Sequence, residues 1–142
     1  MKYIYIYILI FFSTQSCVKN EKIQTESEIL KEFIESKNVV FSRYENIIII
    51  PFNGCGECTK KVLKYFNTES SKKSLFIISE INRSDLKMLN LKFNKCLFDY
   101  DSELVSLGVL ENKPLLYKIN NEDLVFISKI DNSNVDKIIL KI

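Results

Sequence analysis

The spacing of apolar residues changes period several times along the chain, and each change marks an element. In "ESEILKEFIESKN" the residues Ile29, Leu30, Phe33 and Ile34 share one face, with glutamates and Lys31 opposite, which predicts a short amphipathic helix. "VVFSRY" reads as an edge strand. "NIIIIPF" is apolar at consecutive positions, as in strands buried on both faces of a parallel sheet, and Pro51 is tolerated only near such a strand's end. From Cys55 the period becomes helical: Cys58, Val62, Tyr65 and Phe66 fall on one face, and Lys60, Lys61 and Lys64 on another. "SLFIISEI" reads as a strand, and "RSDLKMLNLKF" as a helix capped by Ser84 with Leu86, Leu89 and Phe93 inward. "KCLFDYD" is a further strand, and "SELVSLG" a short helix ended by Gly108. "PLLYKINNEDLVFISKI" places two apolar segments around the turn "NNED", a hairpin, and "NVDKIILKI" spaces Val135, Ile138, Ile139 and Ile142 for a terminal helix. Strands alternating with helices and closing in a hairpin predict an α/β fold, a three-layer sandwich around a mixed sheet.

The amino terminus has a different character. An unbroken apolar run from Tyr3 to Phe12 is too short to span a bilayer, which takes about 20 residues, but suits the apolar core of a secretory signal. Ser16 followed by Cys17 resembles the processing site of bacterial lipoproteins, in which the cysteine carries the lipid, although Gln15 and Thr14 depart from the usual pattern. The expected organisation is a signal peptide over residues 1–16, a lipidated polar tether with the amphipathic helix over 17–37, and one folded domain over 38–142. This implies a lipid-anchored protein of the bacterial cell envelope, facing the periplasm or exterior, where disulfides persist. The 20 lysines and arginines against 18 acidic residues form no basic patch with interleaved aromatics, so nothing supports nucleic-acid binding.

The candidate chemistry lies at Cys55 and Cys58. Cysteines three apart in a first helical turn have Cα atoms about 5 Å apart, within the range a disulfide accepts. Unpaired amides and the positive end of the helix dipole favour a thiolate at Cys55, while Cys58, aligned with Val62, is the more buried partner. One exposed sulfur to attack and one shielded sulfur to resolve is the arrangement that dithiol exchange uses. Zinc is disfavoured because the chain has no histidine and its other cysteines stand alone, and copper delivery is disfavoured on the same ground. A static structural disulfide remains the competing reading. No metal and no cofactor is implied.

The segments "IIIIPFNGCGEC" and "FDYDSELVSLGVLENKPLLYKINNEDLVFISKI" resemble the thioredoxin superfamily, specifically the membrane-anchored thioredoxin-like thiol-disulfide oxidoreductases of the bacterial envelope, over about residues 38–142. In that family an Asp-bearing strand end, a short helix ending in Gly-Val and a proline before a hairpin occur in this order, and here they look like Asp99, Gly108-Val109 and Pro114. The resemblance implies a cis Pro114 lying against the cysteine pair, with Pro114 and Lys113 receiving the substrate backbone. It also implies that the unit at residues 74–93 is the extra element of the envelope branch. Departures are Gly54 where an aromatic residue usually precedes the first cysteine, Lys113 where a small or β-branched residue usually stands, and no acidic residue within "IIIIPF". Glu45 and Glu80 are candidates for a carboxylate near the pair, and Cys96 reads as an inert packed thiol. The expected function is disulfide exchange with exported cysteine-containing proteins, with a membrane thiol reductase as electron donor. Reduction is the expected direction, because Gly56 and Glu57 between the cysteines bring no positive charge. The alternative is a non-catalytic lipoprotein of the same fold, a binding module with a structural disulfide.

Overall fold

The computed structural model describes residues 26–68, 73–82 and 96–142. The signal peptide, Cys17 and the helix expected over "RSDLKMLNLKF" lie outside the described residues. A helix, α1, covers residues 26–36. It is followed by a single 3-10 turn at Phe41–Arg43, strand β1 at Asn46–Pro51 and helix α2 at Gly56–Phe66. Strands β2 (Ser74–Ser79) and β3 (Cys96–Asp99) come next, then helix α3 (Glu103–Ser106), strands β4 (Leu115–Asn120) and β5 (Asp123–Lys129), and helix α4 (Val135–Ile139).

The five strands form one mixed sheet in the order β3-β2-β1-β4-β5. Strands β1, β2 and β3 run parallel, β4 runs antiparallel to β1 and β5 antiparallel to β4. The consecutive isoleucines of β1 are explained by this position: the strand is central, and Ile47 and Ile49 enter one core while Ile48 and Ile50 enter the other. The first core is closed by Leu30, Phe33 and Ile34 of α1 and Leu104 of α3, the second by Val62, Tyr65 and Phe66 of α2 and Val135 of α4. Helices on both faces of the sheet make the three layers. Phe66 meets Phe76 of β2 edge to face, ring centroids 4.6 Å apart, which fixes α2 over the sheet.

Local chemistry sets the connections. Helix α3 ends in Gly108 at φ 75°, with Gly108 N–H donating to Val105 and Val109 N–H to Leu104, the paired bonds of a Schellman cap. At its start the cap comes from the preceding strand. The buried Asp99 carboxylate accepts from the Glu103 and Leu104 amides at 2.8 and 3.0 Å and from the Ser79 hydroxyl at 2.7 Å. The β4–β5 hairpin turns on Asn121 and Glu122, both at positive φ (50° and 68°), as a two-residue turn of the primed type demands.

Three expectations are corrected. "VVFSRY" is not an edge strand: its centre forms the 3-10 turn, with Val39 and Tyr44 packed on the first core and Val40 exposed, and the outer strands of the sheet are β3 and β5. The terminal helix stops at Ile139 and leaves Leu140 exposed, so its periodic pattern outlasts the helix, although Ile138, Ile139 and Ile142 still pack on the second core. The Lys113–Pro114 peptide is trans, since no cis bond occurs among the described residues. Trans is the lower-energy form of an X–Pro bond by about 0.5–1 kcal/mol, and here the chain reaches β4 in that form, the Pro114 carbonyl accepting from Ile130 N–H at 2.7 Å.

Candidate functional site

The topology brings several loops to one edge of the sheet. The parallel strands β1, β2 and β3 end there at Pro51, Ser79 and Asp99, and the antiparallel β4 begins there at Leu115. Loops 52–55, 111–114 and 130–134 therefore converge beyond the end of β1, the kind of position where open α/β sheets place their sites.

Cys55 is the N-cap of α2 and Cys58 lies in its first turn. The two form a disulfide, their Cα atoms 5.6 Å apart. Cys58 is fully buried, and Cys55 is partly exposed. Cys55 N–H is occupied by Asn112 O at 2.9 Å, which ties the cysteine turn to the approach of β4. Gly54 makes that contact possible: a Cβ there would lie 2.5 Å from Asn112 O and 2.6 Å from Pro51 Cγ. The glycine is thus a requirement for space, and it explains why no aromatic residue precedes the first cysteine.

Asn53, Gly54, Cys55, Asn112 and Lys113 line an open groove of about 260 Å³. Lys113, singled out from the sequence, is in the groove wall, its Nζ 3.6 Å from Asp131. Pro114 is buried beside it at the start of β4. Glu45 is not near the pair: it lies at the opposite end of β1, ion-paired to Lys73. Glu80 follows the C-terminal end of β2, and its carbonyl accepts from Asn53 Nδ2 at 3.4 Å. The two lysines that follow the pair in α2 are both engaged, Lys60 with Glu57 at 3.4 Å and Lys61 with Asp136 of α4 at 2.7 Å.

The loop 130–134 was not legible as part of the site. It places Asn132 Oδ1 3.9 Å from Cys55 Sγ, across a sequence separation of 77 residues. Its shape is held by its own side chains. Asn134 accepts from Asp131 N–H at 2.8 Å and donates to Lys129 O at 2.9 Å, while Asp131 Oδ1 accepts from both the amide and the hydroxyl of Ser133. Those two bonds, with Lys113 alongside, hold the Asp131 carboxyl below the usual range despite some desolvation. Nothing in the spacing of "KIDNSNV" signals this; only the run of turn-forming Asp, Asn and Ser marks a structured loop.

Cys96, the third described cysteine, is remote from this chemistry. It is a free thiol on β3, and burial pushes its pKa up to about 12, a backbone hydrogen bond at Ile78 offsetting part of the shift. Among the described residues no group of His, Cys, Asp and Glu is arranged to hold a metal ion, and no helix is long and apolar enough to cross a membrane. No protein-family model matches the chain, and comparison with curated proteins finds no match.

Proposed function

We propose that the chain is a thioredoxin-like thiol-disulfide oxidoreductase of the cell envelope, anchored by lipid at Cys17 and reducing disulfides in exported proteins. One observation carries this reading: a disulfide at the start of a helix, at the end of the central strand, with one sulfur partly exposed beside a groove and the other fully buried behind it.

In the reduced protein the Cys55 thiolate attacks one sulfur of a substrate disulfide. The substrate S–S bond breaks, its departing sulfur leaves as a thiolate that takes up a proton, and Cys55 is joined to substrate as a mixed disulfide. Cys58, deprotonated, attacks Cys55 Sγ, breaking the mixed disulfide and releasing the second substrate sulfur, which is protonated in turn. Two electrons pass to the substrate and the Cys55–Cys58 disulfide forms, the state described here. A dithiol donor, in the membrane thiol-reductase class, returns two electrons to begin the next cycle. Lys113 and the backbone around Asn112 and Pro114 line or support the surface on which a polypeptide substrate lies.

The test is Cys58→Ser in cells. With no resolving sulfur, mixed disulfides between Cys55 and exported proteins accumulate and are released by dithiothreitol. Absence of any such adduct under oxidising conditions favours the binding-module reading, in which the disulfide is static.

A further inference from the structure

We infer that Asn132 is a thiolate-stabilising residue, whose side-chain amide hydrogen-bonds Cys55 Sγ and holds its pKa down in the reduced protein. The inference deepens the proposed redox reading and rests on it for its functional meaning.

The geometry leaves few other groups for this work. The Cys55 amide is spent on Asn112 O, and α2 carries Glu57 in its first turn, a like charge to the thiolate and paired to Lys60. Lys61 is turned toward Asp136, and Lys113 toward Asp131. Beyond β2, Glu80 offers its carbonyl to Asn53. The lysines closest to the pair in sequence, Lys60 and Lys61, and Lys113 of the groove wall are thus each held by a carboxylate, and Lys64 lies in the last turn of α2, whereas Asn132 Oδ1 stands 3.9 Å from Cys55 Sγ, within reach of a sulfur hydrogen bond.

An asparagine suits both protonation states. Its Oδ1 accepts from the Cys55 thiol, and a half-turn of the amide presents Nδ2–H to the thiolate. The charged form gains more from its bond than the neutral form, so the pKa falls. Placement is built into the fold: Asn132 lies between Asp131 and Asn134, each fastened by the loop's own bonds, and Lys113 and Lys61 tie the loop and α4 to the two other sides of the site.

The experiment reads Cys55 directly and needs no substrate. The full reduced chain is alkylated with iodoacetamide between pH 5 and 10, and the rate at Cys55 is followed by peptide mass spectrometry for wild type, Asn132→Ala and Asn132→Asp. Loss of the donor in Asn132→Ala slows alkylation at pH 7 by about three- to tenfold. Asn132→Asp, which adds a negative charge at the same place, slows it further, and at pH 10 the three rates converge as all become thiolate. The pKa order wild type below Ala below Asp supports the inference, and any other order overturns it. A loop that merely collapsed would slow the reaction at every pH and would not follow the charge. Failure of the proposed function is a separate result: wild type that forms no mixed disulfide sinks that reading while this pKa order still stands or falls by itself.

Discussion

At the scale of single residues, the site depends on one missing Cβ. Gly54→Ala forces the new methyl group against Asn112 O and Pro51 Cγ, both parts of segments that are pinned by strand ends, so the loop before β4 has to move. Overpacking of this kind costs about 1–3 kcal/mol, and we expect a lower urea midpoint with little change in slope, together with loss of the Cys55–Asn112 bond. Cys96 makes the opposite case of a residue that contributes by remaining uncharged. Its thiol pKa is raised by burial from 9.0 to about 12 in the folded protein. Between those values the unfolded chain loses a proton that the folded chain keeps. Stability from this group is therefore full below about pH 9 and is lost as pH rises toward 12. In the folded protein at pH 8, Cys96 should resist iodoacetamide and label only on adding denaturant, and equal labelling in both conditions would contradict it.

Individual elements show how local pattern and context divide the work. Helix α2 was readable to its starting residue, because the switch from a continuous apolar run to helical spacing falls at Cys55, and the observed N-cap is Cys55. The β4–β5 hairpin was readable from its polar four-residue turn flanked by apolar segments. Helix α3 was readable at its glycine end but not at its start, where the cap is Asp99 from the end of β3, and Ser102 makes no cap bond. The helical context also bears on the proposed redox direction. Glu57 in the first turn of α2 opposes a thiolate, and its partner Lys60 is held by it at 3.4 Å. Glu57→His removes the opposing charge and frees Lys60, so the reduction potential should rise. Exposure on both sides means solvent screens the change, and we expect a shift on the order of tens of millivolts from a starting value nearer about −270 than −120 mV. Glutathione equilibration of both proteins measures it, and a downward shift, or a wild-type value at the oxidising end, would sink the reductase direction.

For the whole molecule, one end of the sheet collects the parts of the candidate site. Because β1 to β3 are parallel and β4 is antiparallel to β1, Pro51, Ser79, Asp99 and Leu115 all lie at the same end of the sheet. Helix α1, whose Leu30, Phe33 and Ile34 sit in the first core, begins at residue 26, nine positions after Cys17 in the sequence. An anchor at Cys17 would hold the site near a membrane surface. Cys17→Ser is expected to abolish lipid processing and move the protein from the membrane to the soluble fraction of the envelope; unchanged fractionation would remove the anchor from the proposal.

The sequence by itself determined what depends on neighbours along the chain. Period and run length mark the buried strands, α1, α2 and the hairpin; three-residue spacing brings Cys55 and Cys58 within disulfide reach; Gly108 ends α3 because only its backbone adopts the left-handed turn without strain. What only the tertiary structure decided are the contacts between loops far apart in sequence. The Asn112 carbonyl on Cys55 N–H, Lys113 against Asp131 and Asn132 beside the Cys55 sulfur all arise because strand order carries three loops to one edge. Tertiary context also displaced one local reading and one implication of the resemblance: "VVFSRY" has strand-like residues but its centre is a 3-10 turn outside the sheet, and the Lys113–Pro114 bond is trans. Periodicity reports which face of an element is buried, but it carries no information about which other element's loop will stand opposite, and the groups around Cys55 are of that second kind.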